Sequence, residues 1–237
     1  MVRLLEANKI SKQFCLDGQE TVEVLTEISL TANTGEFISI LGRSGSGKTT
    51  LLKCLSSLLE PSSGTVLLAD KNPYRLSDAR LSKLRREQIG FIFQHYNLLA
   101  ALPVFENIIL PLKLSGKKVR KEEVKMVLDD MHFKADLAAP IATLSGGEQQ
   151  KVAIARTILA GNPIIFADEP TGALDSPSQN VIFEKLKDLA DQGRCIVMVT
   201  HDMALAAQTD RALILQDGQI QFELKQPTGD QLYQILK

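Results

Sequence analysis

The chain has 237 residues, of which 44% are hydrophobic and 23% charged, and its 27 basic and 28 acidic side chains leave a net charge of −1. That apolar content suffices for the core of one large α/β domain, and the near-neutral balance argues against nucleic acid as the main partner, which would show as a basic excess. No apolar run approaches the ~20 residues that span a bilayer, and the opening Met1-Val-Arg-Leu-Leu-Glu6 lacks the apolar stretch of a signal peptide, so a soluble, cytoplasmic protein is expected.

Leu4–Ile10 and Val22–Leu30 alternate as strands on either side of the polar turn Asp17–Glu20. Asn33-Thr-Gly35 turns the chain into an apolar strand, Phe37–Leu41. A helix follows that runs to about Leu59, ended by Pro61-Ser-Ser-Gly64, then a short strand Thr65–Ala69. Ser77 is the expected cap of an amphipathic helix with Leu81 and Leu84 on one face and Arg80, Lys83, Arg85 and Arg86 on the other. Ile89–Phe93 is a strand ending at Gln94. From about Asn97 to Leu159 the pattern is helical, with Pro111 expected to end or kink one helix, a charged helix over Lys118–Met131, a loop over Pro140–Gly147 and a helix over Glu148–Leu159. Strands return at Pro163–Asp168, Cys195–Thr200, Ala212–Leu215 and Gln219–Phe222, with helices over Ser178–Ala190, Met203–Ala207 and Pro227–Leu236. The sum is a mainly parallel α/β core with an N-terminal antiparallel sheet and a helical insert at about 97–159, in a single domain over 1–237. The three cysteines, Cys15, Cys54 and Cys195, are scattered and read as small buried hydrophobes, not as a metal site or disulfide frame.

Gly42-Arg-Ser-Gly-Ser-Gly-Lys-Thr-Thr50 fits the phosphate-loop pattern G-x-x-x-x-G-K-[ST] between a predicted strand and a predicted helix. Gly42, Gly45 and Gly47 let the backbone curl so that the N–H groups of Arg43, Ser44, Ser46 and their neighbours face one hollow, at the positive end of a helix. Lys48 is placed to reach the outer phosphates of a bound nucleotide, and the hydroxyl of Thr49, followed by Thr50, to hold Mg²⁺. Asp168 and Glu169 close an apolar strand, where α/β folds bind ligands. Asp168 is the candidate Mg²⁺ ligand and Glu169 the candidate base for an attacking water. Leu144-Ser-Gly-Gly-Glu-Gln149 is a second glycine turn ahead of a helix; Ser145 is either an ordinary N-cap or part of a second anion site. Two such turns in one chain suggest a two-fold dimer in which each completes the other's site.

Taken together, Gly42–Thr49, Gln94, Leu144–Gln149, Asp168-Glu169, Ala173-Leu-Asp175 and His201 resemble the nucleotide-binding subunit of an ABC transporter over almost the whole chain. The resemblance implies a phosphate-loop NTPase (RecA-like) core and an ATPase that dimerises head to tail around two ATP. It places Phe14 against adenine, where the family more often has Tyr, and Gln94 on Mg²⁺ and the attacking water. Ser145, Gly146, Gly147 and Glu148 would meet the ATP of the opposite subunit, Asp175 the dimer seam, and His201 the γ-phosphate. Lys151 departs from the family's usual Arg. The partners implied are a second copy and an integral-membrane permease, which would hold the chain on the inner face of the cell membrane. Phe93–Leu99, Glu106–Pro111 and Ala167–Ser176 are most similar to the branch of lipoprotein release, macrolide export, antimicrobial-peptide resistance and cell division. The tail after Leu224 is expected to leave no room for a further regulatory domain. Two other readings stay open: an ATP-driven signalling module of the cell-division type whose membrane partner transports nothing, and a soluble ATPase of translation or repair. The single cassette and the lack of sustained heptads weigh against the latter.

Overall fold

A computed structural model describes residues 2–16, 20–172 and 174–237. Most of the turn Asp17–Glu20, and Ala173 of the Ala173-Leu-Asp175 stretch, lie outside the described residues. The strands are β1 (Arg3–Leu16), β2 (Glu20–Asn33), β3 (Phe37–Leu41), β4 (Ser63–Leu68), β5 (Ile89–Ile92), β6 (Ile164–Asp168), β7 (Cys195–Val199), β8 (Arg211–Gln216) and β9 (Gln219–Lys225). The helices are α1 (Lys48–Leu55), α2 (Asp78–Gln88), α3 (Val104–Leu114), α4 (Lys121–Asp129), α5 (Gly146–Ala160), α6 (Ser176–Asp191), α7 (Met203–Ala206) and α8 (Gly229–Leu236).

Two sheets result. One is antiparallel, in the order β2-β1-β4; the other runs β5-β6-β7-β3-β8-β9, parallel except for β9. The β3, β6 and β7 strands are buried at every position, which is why they read as unbroken apolar runs. Their carboxyl ends deliver Leu41, Asp168 and Val199 to one edge of the sheet. Helix α1 and the antiparallel sheet cover one face, in a core containing Leu5, Leu25, Ile40, Leu52 and Phe166. The other face shares a continuous core with the helical insert, where Val104, Ile108, Leu128 and Ile154 join Ile165 and Ile196. The insert is therefore anchored to the sheet that carries the phosphate loop. Among the described residues, no helix is long and apolar enough to cross a membrane.

Several local expectations change. Strands β1 and β2 each run 14 residues, longer than their alternation suggested, because bulges with left-handed Lys9 and Glu27 let the pairing resume after it slips. Helix α1 stops at Leu55, not Leu59: Ser57 turns left-handed (φ 68°), and Arg85 and Tyr74 bond the carbonyls of Ser57, Cys54 and Leu59 that the helix leaves free. Pro111 sits inside α3 with only one further turn after it, and Ser115 then closes the helix by donating to the Pro111 carbonyl. Ser77 occupies the N-cap of α2 but makes no side-chain cap bond. Cys54 and Cys195 are buried, their thiols pushed up by burial to about 11 and about 12, whereas Cys15 is exposed.

Candidate functional site

Helix α1 begins at Lys48 because Gly47 (φ 98°) turns the chain at its N-cap. No other residue type fits there easily, since a side-chain carbon on Gly47 would lie 2.9 Å from the Val24 carbonyl oxygen. Gly42 is tighter still: its missing side-chain carbon would sit 2.1 Å from the Leu215 carbonyl oxygen and 2.7 Å from Ser46 Oγ. The loop is thus wedged between β2 and β8. Gly45 faces open space.

One hollow is lined by Ser44, Gly45, Lys48, Thr49, Gln94 and Glu169, with Gly47, Thr50, Val24 and Val199 completing it. Arg43 and Ser46 line an adjoining hollow with Gln216 and Asp217. The Arg43 guanidinium donates to the Lys237 carbonyl at 3.1 Å. Lys48 Nζ donates to the Gly42 and Arg43 carbonyls, each at 2.9 Å. Burial lowers its pKa, and Glu169 and Asp168 pull it back up. A half-buried ammonium whose hydrogen bonds go to two backbone carbonyls and to no carboxylate is poised for an anion. Ser46 Oγ is buried and without a hydrogen-bond partner among the described residues, so the loop holds unspent bonding capacity.

Thr49 Oγ1 donates to Asp168 Oδ1 at 3.2 Å. Burial pushes the Asp168 carboxyl up, against opposing pulls from Thr49, Lys53, Lys48 and His95. Thr49 and Gln94 line the hollow and the Asp168 carboxylate stands behind the Thr49 hydroxyl, hard oxygen donors that suit Mg²⁺. No cluster of three or more His, Cys, Asp or Glu exists among the described residues.

Glu169 follows at φ 49°, a left-handed conformation costly for a non-glycine residue and common at functional sites. It is held by its N–H to the Val199 carbonyl at 3.0 Å. Its side chain is mostly buried, and His201, largely exposed, brings Nδ1 to 2.9 Å from Oε2.

Ser145 and Glu148 form a reciprocal capping box at the start of α5, with Glu148 Oε2 accepting from Ser145 N at 2.9 Å and from Ser145 Oγ at 2.8 Å. The N-cap role expected of Ser145 is therefore filled within the chain, and α5 begins at Gly146, two residues before the predicted start. Ser145, Gly146, Gly147, Glu148 and Asp175 line a separate hollow. It shares no residue with the phosphate-loop hollow. Phe14 is exposed on β1, beneath the Lys12 ammonium at 5.2 Å from the ring centroid, and touches neither hollow. His95 and His132 are both exposed.

One residue that sequence reasoning passed over is Gln150. It is buried, and its amide donates to the Pro170 carbonyl at 2.7 Å, tying α5 to the turn after Glu169. The signal was available: Gln150 lies four positions after Gly146, on the face of α5 shared with apolar Ile154.

The sequence model of the family described as ABC transporter matches residues 25–172. The chain is 45% identical over 216 residues to the macrolide export ATP-binding/permease protein MacB of Campylobacter jejuni subsp. jejuni serotype O:23/36 (strain 81-176), covering 90% of this chain and 34% of that protein. It is 43% identical over 222 residues to MacB 1 of Yersinia pestis bv. Antiqua (strain Antiqua), covering 93% and 34%. The chain thus spans about a third of the length of these relatives. Among solved structures, a dimeric post-hydrolysis state of the ATP-binding cassette MJ0796 bound to ADP and Pi superposes with a TM-score of 0.88 at 36% identity, covering 94% of this chain and 99% of that one.

Proposed function

Because the chain belongs to the ABC transporter family, we propose that it is an ATP-hydrolysing subunit that closes head to tail on a second copy and drives a membrane permease, in an export system of the macrolide type. The observation that carries the reading is that the phosphate-loop and signature hollows have no residue in common. Each is half of a site, and a two-fold pair supplies both halves twice. ATP can touch both faces only when the pair is closed, so its binding shifts the population toward closure.

In the proposed reaction, Lys48 gives up its bonds to the Gly42 and Arg43 carbonyls for the β- and γ-phosphates. Ser46 Oγ and the loop N–H groups complete the cradle, and Phe14 offers its π-face to adenine. Thr49, Asp168 and Gln94 would hold Mg²⁺, which would neutralise phosphate charge. Glu169 takes a proton from water as the water oxygen bonds to the γ-phosphorus and the bond to ADP breaks. His201, beside Glu169, steadies the transferring group, and positioning with charge neutralisation supplies most of the acceleration. The signature residues Ser145, Gly146, Gly147 and Glu148 meet the partner's ATP, and Asp175, in the same hollow, lies at the seam. Loss of the γ-phosphate bridge reopens the pair.

An apolar groove beside Gln94, lined by Phe91, Phe93, Leu110, Leu114 and Arg156, supports docking of the permease on the helical insert, which would keep the chain at the cytoplasmic face of the membrane. The unit proposed is a single cassette over 1–237 with the helical part at about 97–159. The test is sedimentation of the purified chain with and without Mg²⁺-ATP, alongside phosphate release. ATP-dependent dimers and turnover are expected; a chain that stays monomeric at saturating ATP yet hydrolyses it at full rate would overturn the composite site.

A further inference from the structure

Arg156 lies in the third turn of α5, and its guanidinium is directed at backbone, not at a carboxylate. Nη1 donates to the Asn97 carbonyl at 2.7 Å and Nη2 to the Tyr96 carbonyl at 2.8 Å. None of the salt bridges among the described residues includes it. Burial lowers its pKa, so the charge is held at a desolvation cost that the two carbonyls offset. The carbonyls belong to an unusual segment: Tyr96 (φ 61°) and Asn97 (φ 48°) are consecutive left-handed non-glycine residues. Such a pair persists only where the surroundings over-determine it. It follows Gln94 by two residues.

The same segment reaches the other end of the helix. A side-chain carbon on Gly146 would lie 3.1 Å from the Tyr96 hydroxyl oxygen. Gly146 and Arg156 are ten residues apart, about 15 Å along the axis. Tyr96 therefore lies along α5, gripped by the guanidinium at its backbone and set against the signature turn at its hydroxyl. Arg156 also lines the groove beside Gln94.

We propose that Arg156 is a positioning residue that, with Tyr96, holds the segment following Gln94 against the signature helix, so that the placement of Gln94 is tied to that of the signature turn. The proposal rests on the composite-site reading above. The Gln94 segment serves the chain's own ATP and the signature turn serves its partner's, so the clamp makes closure at one site the geometry of the other. Arg156 and Tyr96 line neither the phosphate-loop hollow nor the signature hollow.

The experiment compares full-length wild type with Arg156→Lys, which can satisfy one carbonyl but not both in fork geometry, and Tyr96→Phe, which removes only the hydroxyl. ATP affinity is read with a fluorescent ATP analogue at protein concentrations where the chain is monomeric. Turnover and ATP-driven dimerisation are read at high concentration, well below the melting temperature. Affinity is expected to stay within about twofold, while kcat and dimer yield fall about 10-fold in Arg156→Lys, the scale of one charge-assisted hydrogen bond, and by a smaller factor in Tyr96→Phe. Turnover of Arg156→Lys within twofold of wild type would overturn the proposal, and so would parallel losses of affinity and turnover, which a merely unstable fold produces. If the unsubstituted chain binds the analogue and hydrolyses ATP but does not dimerise with it, the composite-site reading falls first and takes this inference with it.

Discussion

His201 Nδ1 stands 2.9 Å from Glu169 Oε2, yet that oxygen is buried and takes no well-directed hydrogen bond from any described residue. The approach is close and misaligned. A buried carboxylate oxygen with an unfilled lone pair is costly to keep and is what a base for an attacking water requires. Glu169→Gln keeps the shape and removes the basicity. ATP affinity should stay within about threefold, kcat should fall at least about 100-fold, and the ATP-bound dimer should accumulate. Phosphate release at an unchanged rate would remove Glu169 from the role. His201 is largely exposed, so His201→Ala should lower turnover while leaving the melt within about 0.5 kcal/mol of wild type.

Asp168 offers a test in which stability and activity move in opposite directions. Its folded pKa is raised by burial. The fold therefore favours the protonated form, and that contribution is present below the ordinary carboxylate pKa and lost as pH rises through the raised one. Above that range the nucleotide-free protein holds the ionised carboxylate at a cost in stability. Asp168→Asn should melt higher than wild type at pH 7, with the gap closing as pH falls toward about 4. The same variant should lose at least about 100-fold in Mg²⁺-dependent turnover. A lower melting temperature at pH 7 would show that the carboxylate is stabilised, not strained, where it lies.

The phosphate loop was legible because its demands are local. A strand, a glycine turn and a helix start each leave a mark in consecutive residues, and β6 ending at Asp168 is an apolar run with an acid after it. What escaped depends on residues far apart in the chain. The Arg156 clamp joins positions 59 and 60 residues apart, and the stop of α1 at Leu55 is imposed by Arg85 and Tyr74 from outside the helix. Left-handed Glu169 and the outward-facing Cys15 are likewise settled by tertiary surroundings, for which propensity carries no record.

Gly42 and Gly45 separate the loop's structural glycines from its ligand-facing ones. A methyl at Gly42 would meet the Leu215 carbonyl at 2.1 Å, and backbone cannot give way cheaply. A methyl at Gly45 meets nothing within 4 Å, although φ is +80°. Gly42→Ala should therefore unfold or strongly destabilise the chain. Gly45→Ala should cost only about 1–2 kcal/mol, a few degrees in melting temperature, while filling the hollow that nucleotide needs. Thermal melts paired with ATP titrations check both, and equal melting temperatures for the two variants would contradict the wedge against β8.

Lys48 and Ser145 line different hollows of one chain, and mixing their variants tests whether those hollows belong to one site in trans. Lys48→Ala should abolish turnover by removing the ammonium from the phosphates; Ser145→Arg should abolish it by blocking the signature turn. In a head-to-tail heterodimer of the two, one composite site carries both defects and the other carries neither. Random pairing makes half the dimers mixed, each with one intact site of two, so the mixture should recover up to about one quarter of wild-type hydrolysis per site. If each chain built its whole site alone, every site in the mixture would carry a defect and nothing would be recovered. Phosphate release from the two variants, separately and mixed in equal amounts at saturating ATP, decides between these outcomes.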